Sequence, residues 1–298
     1  MPNLLGETSG MTAFVRTVEA GSFTAAARDL GTTPSAVSKS VARLERKIGT
    51  RLFLRSTRAL TLTQDGQVFF ERVAPLLREL DASDDAIRSQ AGPAGRLRIS
   101  MPGELAPLLL PQLFSNFAKS YPDLQLDIGL TDRFVNLVRE DYDVALRAGT
   151  PLQEDLIVRR LAYLPMIVVA SPAFVETWGH PKFMADLAAL PFVRYAMSGE
   201  VKSVRLADGT VFVPKGRVDC DTGIAMIEAA RSGLGAAYLL RCLLTDELRA
   251  GTLVDLAPDI ALPKLSLSAL HAFGRTVPTR VRLFCDFMAS EAKILADL

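Results

Sequence analysis

Thr33-Pro34-Ser35-Ala36-Val37-Ser38-Lys39-Ser40-Val41-Ala42-Arg43-Leu44-Glu45-Arg46-Lys47-Ile48-Gly49 is the stretch whose reading decides the fold of the N-terminal part of the chain. Thr33 is an N-cap residue, and Pro34 stands at the first helical position, where a missing N–H costs no intrahelical bond. Gly49 ends the run. Between these limits Val37, Val41, Leu44 and Ile48 recur at helical spacing and make one apolar stripe. With that stripe turned inward, Ser35, Ser38, Lys39, Ala42 and Arg43 share the outward face near the helix N-terminus. Hydroxyls of this kind bond phosphates or bases, an alanine can touch a thymine methyl, and Lys or Arg reaches guanine or phosphate. A solvated basic helix surface would carry the same residues, and periodicity leaves both readings open.

Two more helical patterns precede this one. Met11 to about Ala20 carries Phe14, Val15 and Val18 and stops at Gly21, and Ser22 caps an alanine-rich run, Phe23–Leu30, that stops at Gly31. On the other side, residues 52–63 predict two short strands around a basic turn, Arg55-Ser56-Thr57-Arg58, suited to a wing on the DNA backbone. Thr63 caps a longer helix from Gln64 to about Ser89, with Val68, Phe69, Val73, Leu76, Leu77, Leu80 and Ile87 as its apolar positions. Pro75 inside it removes a backbone hydrogen bond and is expected to bend it, at about 3 kcal/mol if packing does not compensate. Ala91-Gly92-Pro93-Ala94-Gly95 reads as a linker.

After Arg96 strands alternate with helices, the pattern of an α/β domain. Strands are expected at Leu97–Ser100, Leu124–Leu130, Val144–Leu146, Met166–Ala170 and Leu265–Ala272. Helices are expected at about Leu105–Ser120, Phe134–Glu140, Ile224–Ser232 and Val277–Ala296. Ligands of open α/β sheets bind beyond the carboxyl ends of the strands and near helix N-termini. That rule selects Ser100, Met101, Pro102, Gly103 and Glu104 after the first strand and Thr131 with Asp132 after the second. It also selects Arg147, Ala148 and Gly149 after the third, and Thr222 and Gly223 before a helix. Ser100 and Thr222 could equally be helix caps, the glycines turn residues, and Arg147 the partner of Asp132 or Asp143.

The chain's 298 residues suggest two domains, about half the residues are apolar, and no run approaches about eighteen apolar residues, so no membrane span is expected. The N-terminus lacks a basic, then apolar, export signal, which predicts a cytoplasmic protein. Residues 11–63 hold nine Lys/Arg against three acids, a local +6 within a chain of net +1, as a polyanion-binding end would. Cys220, Cys242 and Cys285 have no disulfide or zinc spacing, and His180 and His271 stand without nearby ligands, so neither metal nor cofactor is expected. HExxH, GxSxG, P-loop and Cys-His signatures are absent, which argues against an enzyme. Gly233-Leu234-Gly235 reads as a helix C-cap and turn rather than a dinucleotide loop.

The ordered run Phe14-Val15, Gly21-Ser22-Phe23-Thr24-Ala25-Ala26-Ala27, Leu30, Pro34-Ser35-Ala36-Val37-Ser38, Val41, Leu44-Glu45, Gly49, Leu52-Phe53, Arg55, Leu62-Thr63, Gly66 is similar throughout to the signature of LysR-type transcriptional regulators. That resemblance implies a winged helix-turn-helix at 8–63, a linker or dimerisation helix at 64–91 and an effector-binding domain at 92–298. The last is expected to resemble a periplasmic binding protein, with lobe I at about 96–165 and 269–298 and lobe II at about 166–268. It implies a DNA face of Thr33, Ser35, Ala36, Ser38, Lys39 and Arg43, with Arg55 and Arg58 in the wing. The cleft loops named above would bind a small organic acid or aromatic effector, with Tyr195 and the neighbouring Arg194 contributing. It further implies a homodimer or homotetramer, a partly palindromic operator, and contact with RNA polymerase. A DNA-binding regulator whose cleft has lost its effector is the alternative.

Overall fold

The computed structural model describes residues 4–55, 60–88, 93–150, 156–197, 199–274 and 276–298. The head is built from α1 (Thr8–Ala20), α2 (Phe23–Asp29) and α3 (Pro34–Ile48), followed by a hairpin of β1 (Phe53–Arg55) and β2 (Leu60–Leu62). Its caps are those the sequence announces: Ser22 Oγ accepts the Ala25 N–H at 3.1 Å and Thr33 Oγ1 accepts that of Ala36 at 3.3 Å. Phe14 is fully enclosed, with ring centroids 5.3 Å from Phe53, 5.5 Å from Phe69 and 6.4 Å from Phe70. This aromatic knot joins α1, the hairpin and the next helix.

That helix, α4 (Gln64–Arg88), continues through Pro75. Thr63 Oγ1 caps it by accepting the Gly66 N–H at 2.8 Å. A Cβ at Gly66 would lie 2.1 Å from the Leu52 carbonyl oxygen, so only glycine lets α4 start this close to the hairpin. Val73 and Ala74 pack into the head core, while Val68, Leu76 and Leu80 remain exposed. Arg58 of the expected wing and Ala91-Gly92 of the expected linker lie outside the described residues.

The rest is an α/β unit. In chain order it comprises β3 (Gly95–Met101), α5 (Ala106–Gln112), α6 (Ala118–Ser120), β4 (Leu124–Leu130), β5 (Val144–Ala148) and β6 (Ile157–Ala170). Next come α7 (Pro172–Trp178), α8 (Met184–Ala189), β7 (Pro191–Met197), β8 (Glu200–Val201), β9 (Val204–Arg205), β10 (Val211–Phe212) and β11 (Lys215–Cys220). The chain finishes with α9 (Gly223–Arg231), β12 (Ala237–Leu240), α10 (Thr245–Ala250), β13 (Val254–Asp255), β14 (Lys264–His271) and α11 (Thr279–Asp297).

β6 is the strand that makes two lobes from one chain. Its first half pairs with β14, in a layer completed by β5, β3 and β4; its second half pairs with β12 and β13. A Phe192–Ala236 bridge connects this second lobe to the parallel pair β7–β11. Lobe I has a main core, in which Ile99, Leu109, Phe117 and Phe284 are enclosed, and a smaller one of Val135, Leu137, Ala145 and Leu270; lobe II has one on each side of its sheet. β14 starts with Lys264 opposite Pro165 and pairs with lobe I strands throughout, so the chain has returned to lobe I before 269.

Residues 134–140, expected to be a helix, form a turn. Asn136 Oδ1 accepts the Arg139 N–H and Glu140 Oε1 that of Asn136, both at 2.9 Å, and Asp141 has φ 57°. The Arg139 donor that a helix would have aimed at Val135 thus goes to a side chain, while the Glu140 N–H keeps a bond to the Asn136 carbonyl at 2.9 Å. The helix expected at 105–120 is also uneven: Pro111 offers no N–H, and Leu113–Phe117 widens into a π turn.

Candidate functional site

The outward face of α3 presents Thr33, Ser35, Ala36 and Lys39 to solvent, with Ser38 half-buried beside them. Thr33 spends its hydroxyl oxygen on the Ala36 N–H, so α3 is capped where its face begins. Arg43 is different. Its Nε lies 3.0 Å from Glu7 Oε2, its Nη2 donates to Ser9 Oγ at 3.1 Å, and Lys47 Nζ lies 3.4 Å from Glu7 Oε1. The Arg43 hydrogen bond is the chief cause holding the Glu7 carboxyl below the ordinary carboxylate range. Arg43 therefore ties the start of α1 to α3 as well as lying on the exposed face. Arg55 ends β1, within the hairpin.

Between the lobes lies a cavity of about 250 Å³. Lobe I contributes Pro102, Glu104, Asp132, Phe134, Arg147 and Ala148 to its wall; lobe II contributes Phe192, Tyr195, Met226 and Tyr238, among others. Met166, just past the crossing in β6, and Leu265, at the start of β14, also line it.

The structure brings six of the expected cleft residues onto this wall: Pro102, Glu104, Asp132, Arg147, Ala148 and Tyr195. Ser100, Thr222 and Gly223 stand directly behind it. Ser100 Oγ accepts from Arg147 Nη2 at 2.7 Å, the Gly223 N–H donates to Glu104 Oε1 at 2.6 Å, and Thr222 caps α9 through the Ala225 N–H at 3.4 Å. Met101, Gly103, Thr131 and Gly149 do not line the cavity. Met101 is core, Gly103 donates to Asp132 Oδ1 at 3.0 Å, Thr131 donates to the Met101 carbonyl at 3.0 Å, and Gly149 is a turn at φ 102°. Arg194, the neighbour of Tyr195, is paired with Asp219 at 2.6 Å and is absent from the wall.

Arg147 lies near the end of β5, on the cavity wall. It is 4% exposed, and among the described residues Asp132 takes the Gly103 N–H and Asp143 lies 3.5 Å from Arg280, neither forming an ion pair with Arg147. Its Nη atoms go to Ser100 and to the Leu146 carbonyl at 2.6 Å, and its buried Nε has no hydrogen-bond partner. Burial pushes its pKa down. Glu104 is displaced in the opposite sense: burial raises its carboxyl, the Gly223 N–H partly counters this, and Asp132 adds to it. The Tyr195 hydroxyl is pushed up to about 12, first by burial and then by Glu104.

Apart from Tyr195, the lobe II wall was missed in sequence because the strand-end rule selects loops. Phe192, Tyr238 and Met166 reach the cavity from within strands, and only the three-dimensional crossing of β6 brings them there.

A helix-turn-helix head joined to a two-lobed α/β domain with a cleft defines a ligand-responsive transcription regulator. The profile described as "LysR substrate binding domain" matches residues 90–293, and that of "Bacterial regulatory helix-turn-helix protein, lysR family" matches residues 9–67. The chain belongs to the LysR family of transcriptional regulators, whose members bind DNA through the head and small effectors through the substrate-binding domain. It is 30% identical over 296 residues to the HTH-type transcriptional regulator YhjC of Escherichia coli (strain K12), covering 96% of this chain and 98% of that one. It is 30% identical over 285 residues to the regulator CrgA of Neisseria meningitidis serogroup C (strain 8013), covering 94% and 95%. Among solved structures, CrgA from Neisseria meningitidis matches at a TM-score of 0.59 and 29% identity, over 96% of this chain and 98% of that one. ArgP from Mycobacterium tuberculosis shares the fold at a TM-score of 0.67 and 23% identity, over 95% and 96%.

Among the described residues no helix is long and apolar enough to cross a membrane, and no cluster of metal-ligating side chains occurs.

Proposed function

We propose that this regulator responds to a small organic acid with a largely apolar body, bound between the lobes with its carboxylate at Arg147. The carrying observation is a guanidinium buried on the cavity wall with an unpartnered Nε and no anion of its own. Leaving such a donor unsatisfied costs about 1–3 kcal/mol, which a bound carboxylate would recover. Phe134, Phe192, Met226 and Tyr238 would then enclose the apolar part, and Tyr195 would offer a hydroxyl that stays protonated at neutral pH.

DNA is read by Thr33, Ser35, Ala36, Ser38 and Lys39 on α3, with Arg43 beside them and Arg55 and Arg58 on the wing. The working division is a head at 8–63, a dimerising helix at 64–91 and an effector domain at 92–298. A two-fold dimer, alone or paired into a tetramer, favours a partly palindromic operator. Effector binding favours one arrangement of the lobes and so biases the spacing of the heads. The protein acts as a cytoplasmic regulator and carries no catalysis of its own. The test is fluorescence anisotropy against the DNA flanking its gene, with a scrambled duplex and a salt series. Selective, salt-weakened binding that aromatic and aliphatic acids modulate supports this reading. Equal binding to both duplexes at all salts counts against it.

A further inference from the structure

The N-terminus of α9 faces the cleft from lobe II, and helix N-termini hold anions well. Here the position is already taken by an anion belonging to lobe I. Glu104 Oε1 accepts the Gly223 N–H at 2.6 Å, a hydrogen bond that joins the two lobes, while Thr222 uses its own hydroxyl on the Ala225 N–H. The local sequence makes room for it. A Cβ at Gly223 would stand 3.0 Å from Glu104 Oε2 and 3.1 Å from its Cδ, so glycine lets the carboxylate lie against the first turn of the helix. Asp132 adds a second fixed carboxylate to the same wall and is itself occupied by the Gly103 N–H.

A second, independent feature points to a ligand. Arg147 lines the same cavity, is more than nine-tenths buried, and keeps its Nε without a partner. Lys202, another cation on the wall, lies 3.3 Å from Glu200 at an exposed position. The cleft therefore offers one buried anion subsite at Arg147, and the second position suited to an anion is filled by the protein.

We propose that Glu104 is an internal substitute for a second anionic group: by occupying the N-terminus of α9 it restricts the cleft to ligands with a single carboxylate and excludes dicarboxylates. This rests on the interlobe cavity being the effector site. A dicarboxylate seated at Arg147 meets the Glu104 and Asp132 carboxylates and finds the Gly223 donor spent. A monocarboxylate meets neither problem. Glu104 thereby sets specificity by repulsion and by occupancy, both of which act against the wrong ligand.

The test is isothermal titration of the full chain with sodium sulfate, at ionic strength matched with sodium chloride, for wild type, Glu104→Gln and Glu104→Ala. Gln keeps an acceptor on Gly223, whereas Ala vacates the helix end. The expected result is sulfate affinity rising in the order wild type, Glu104→Gln, Glu104→Ala, with the alanine variant about tenfold tighter than wild type, the scale of a charge-assisted hydrogen bond. Sulfate affinity equal in all three overturns the proposal. Glu104→Ser is read the same way should the alanine variant fail to fold. Benzoate and isophthalate, titrated in parallel, are expected to show wild type preferring benzoate and the preference shrinking in Glu104→Ala; an unchanged preference counts against the proposal. Arg147→Lys separates the two readings. If sulfate distinguishes the Glu104 variants but benzoate binds Arg147→Lys and wild type alike, the carboxylate site at Arg147 is lost while the assignment of Glu104 stands.

Discussion

Arg147 Nη2 donates to Ser100 Oγ at 2.7 Å, from the end of β5 to the neighbouring parallel strand β3. With the bond from Nη1 to the Leu146 carbonyl, this fixes the guanidinium plane and leaves Nε the unpartnered donor. Ser100→Ala removes the acceptor but keeps the charge. It is expected to destabilise the effector domain by about 1–3 kcal/mol through the orphaned buried donor. Denaturant unfolding followed by far-UV circular dichroism measures this, and an unchanged midpoint would show that Arg147 finds another partner.

Arg147→Lys keeps the charge and loses the planar fork. For carboxylates found to stabilise the wild type in a thermal-shift screen, affinity should fall about tenfold to a hundredfold, since charge-assisted hydrogen bonds contribute about 1.5–3 kcal/mol. Neutral ligands should lose much less. A uniform loss across acids and neutral compounds would point to a structural role alone.

On α3, Lys39 and Arg43 should separate in experiment although both are exposed. Lys39→Ala is expected to weaken operator binding and reduce the slope of log affinity against log salt by about 1. Arg43→Ala removes the ion pair with Glu7 and the bond to Ser9, so its signature should include a lower Tm of the head. Anisotropy over a salt series, run beside thermal melts, distinguishes the two. Lys39→Ala without any change in slope would remove it from the DNA face.

The head was legible in sequence because its signals are local. Thr33-Pro34 and Gly49 bracket α3, Thr63 caps α4, and each acts within four residues of itself. The cleft was half legible, since the strand-end rule finds residues such as Glu104 and Arg147 whose place follows from one strand. Phe192 and Tyr238 line the cavity because separate strands meet across β6, a long-range arrangement that periodicity does not carry. The turn at 134–140 was misread for a related reason. Val135 and Leu137 are buried as apolar helix positions are, but Asn136 Oδ1 takes the Arg139 donor.

Glu104 also sets a pH dependence. Its carboxyl is raised above the ordinary 4.5 by burial, against the opposing Gly223 bond. Between that value and the raised one, the folded chain holds more protons than the unfolded chain, so its contribution to stability falls as pH rises through the window. Glu104→Gln removes the titration. It should melt higher than wild type at pH 7, with the difference closing as pH falls toward 4.5. Glu7, held low by Arg43, acts in reverse: its contribution is present above 4.5 and lost as pH falls, so Glu7→Gln should lower Tm at pH 7. Scanning calorimetry of both variants across pH 4.5–8 tests the two signs together; a Glu104→Gln difference that grows on acidification would contradict the burial argument.

The exposed side of α4 gives the last prediction. Leu76 and Leu80, four residues apart, are 58% and 60% exposed, and Val68 lies on the same stripe two turns earlier. A helix anchored to the head by Val73 and Ala74, with Leu80 seven residues after Val73 and beside Val15 of α1, has no need of Leu76 and Val68 in solvent unless another surface covers them. Burying a leucine contributes about 1.5–3 kcal/mol, so a symmetric pair of stripes supplies several such increments per dimer. Leu76→Glu should therefore shift the protein toward monomer in sedimentation velocity at micromolar concentration. Binding to a full operator should weaken far more than binding to an isolated half-site, because the head itself is untouched. A variant that stays dimeric and binds the full operator normally would move the dimer interface off α4.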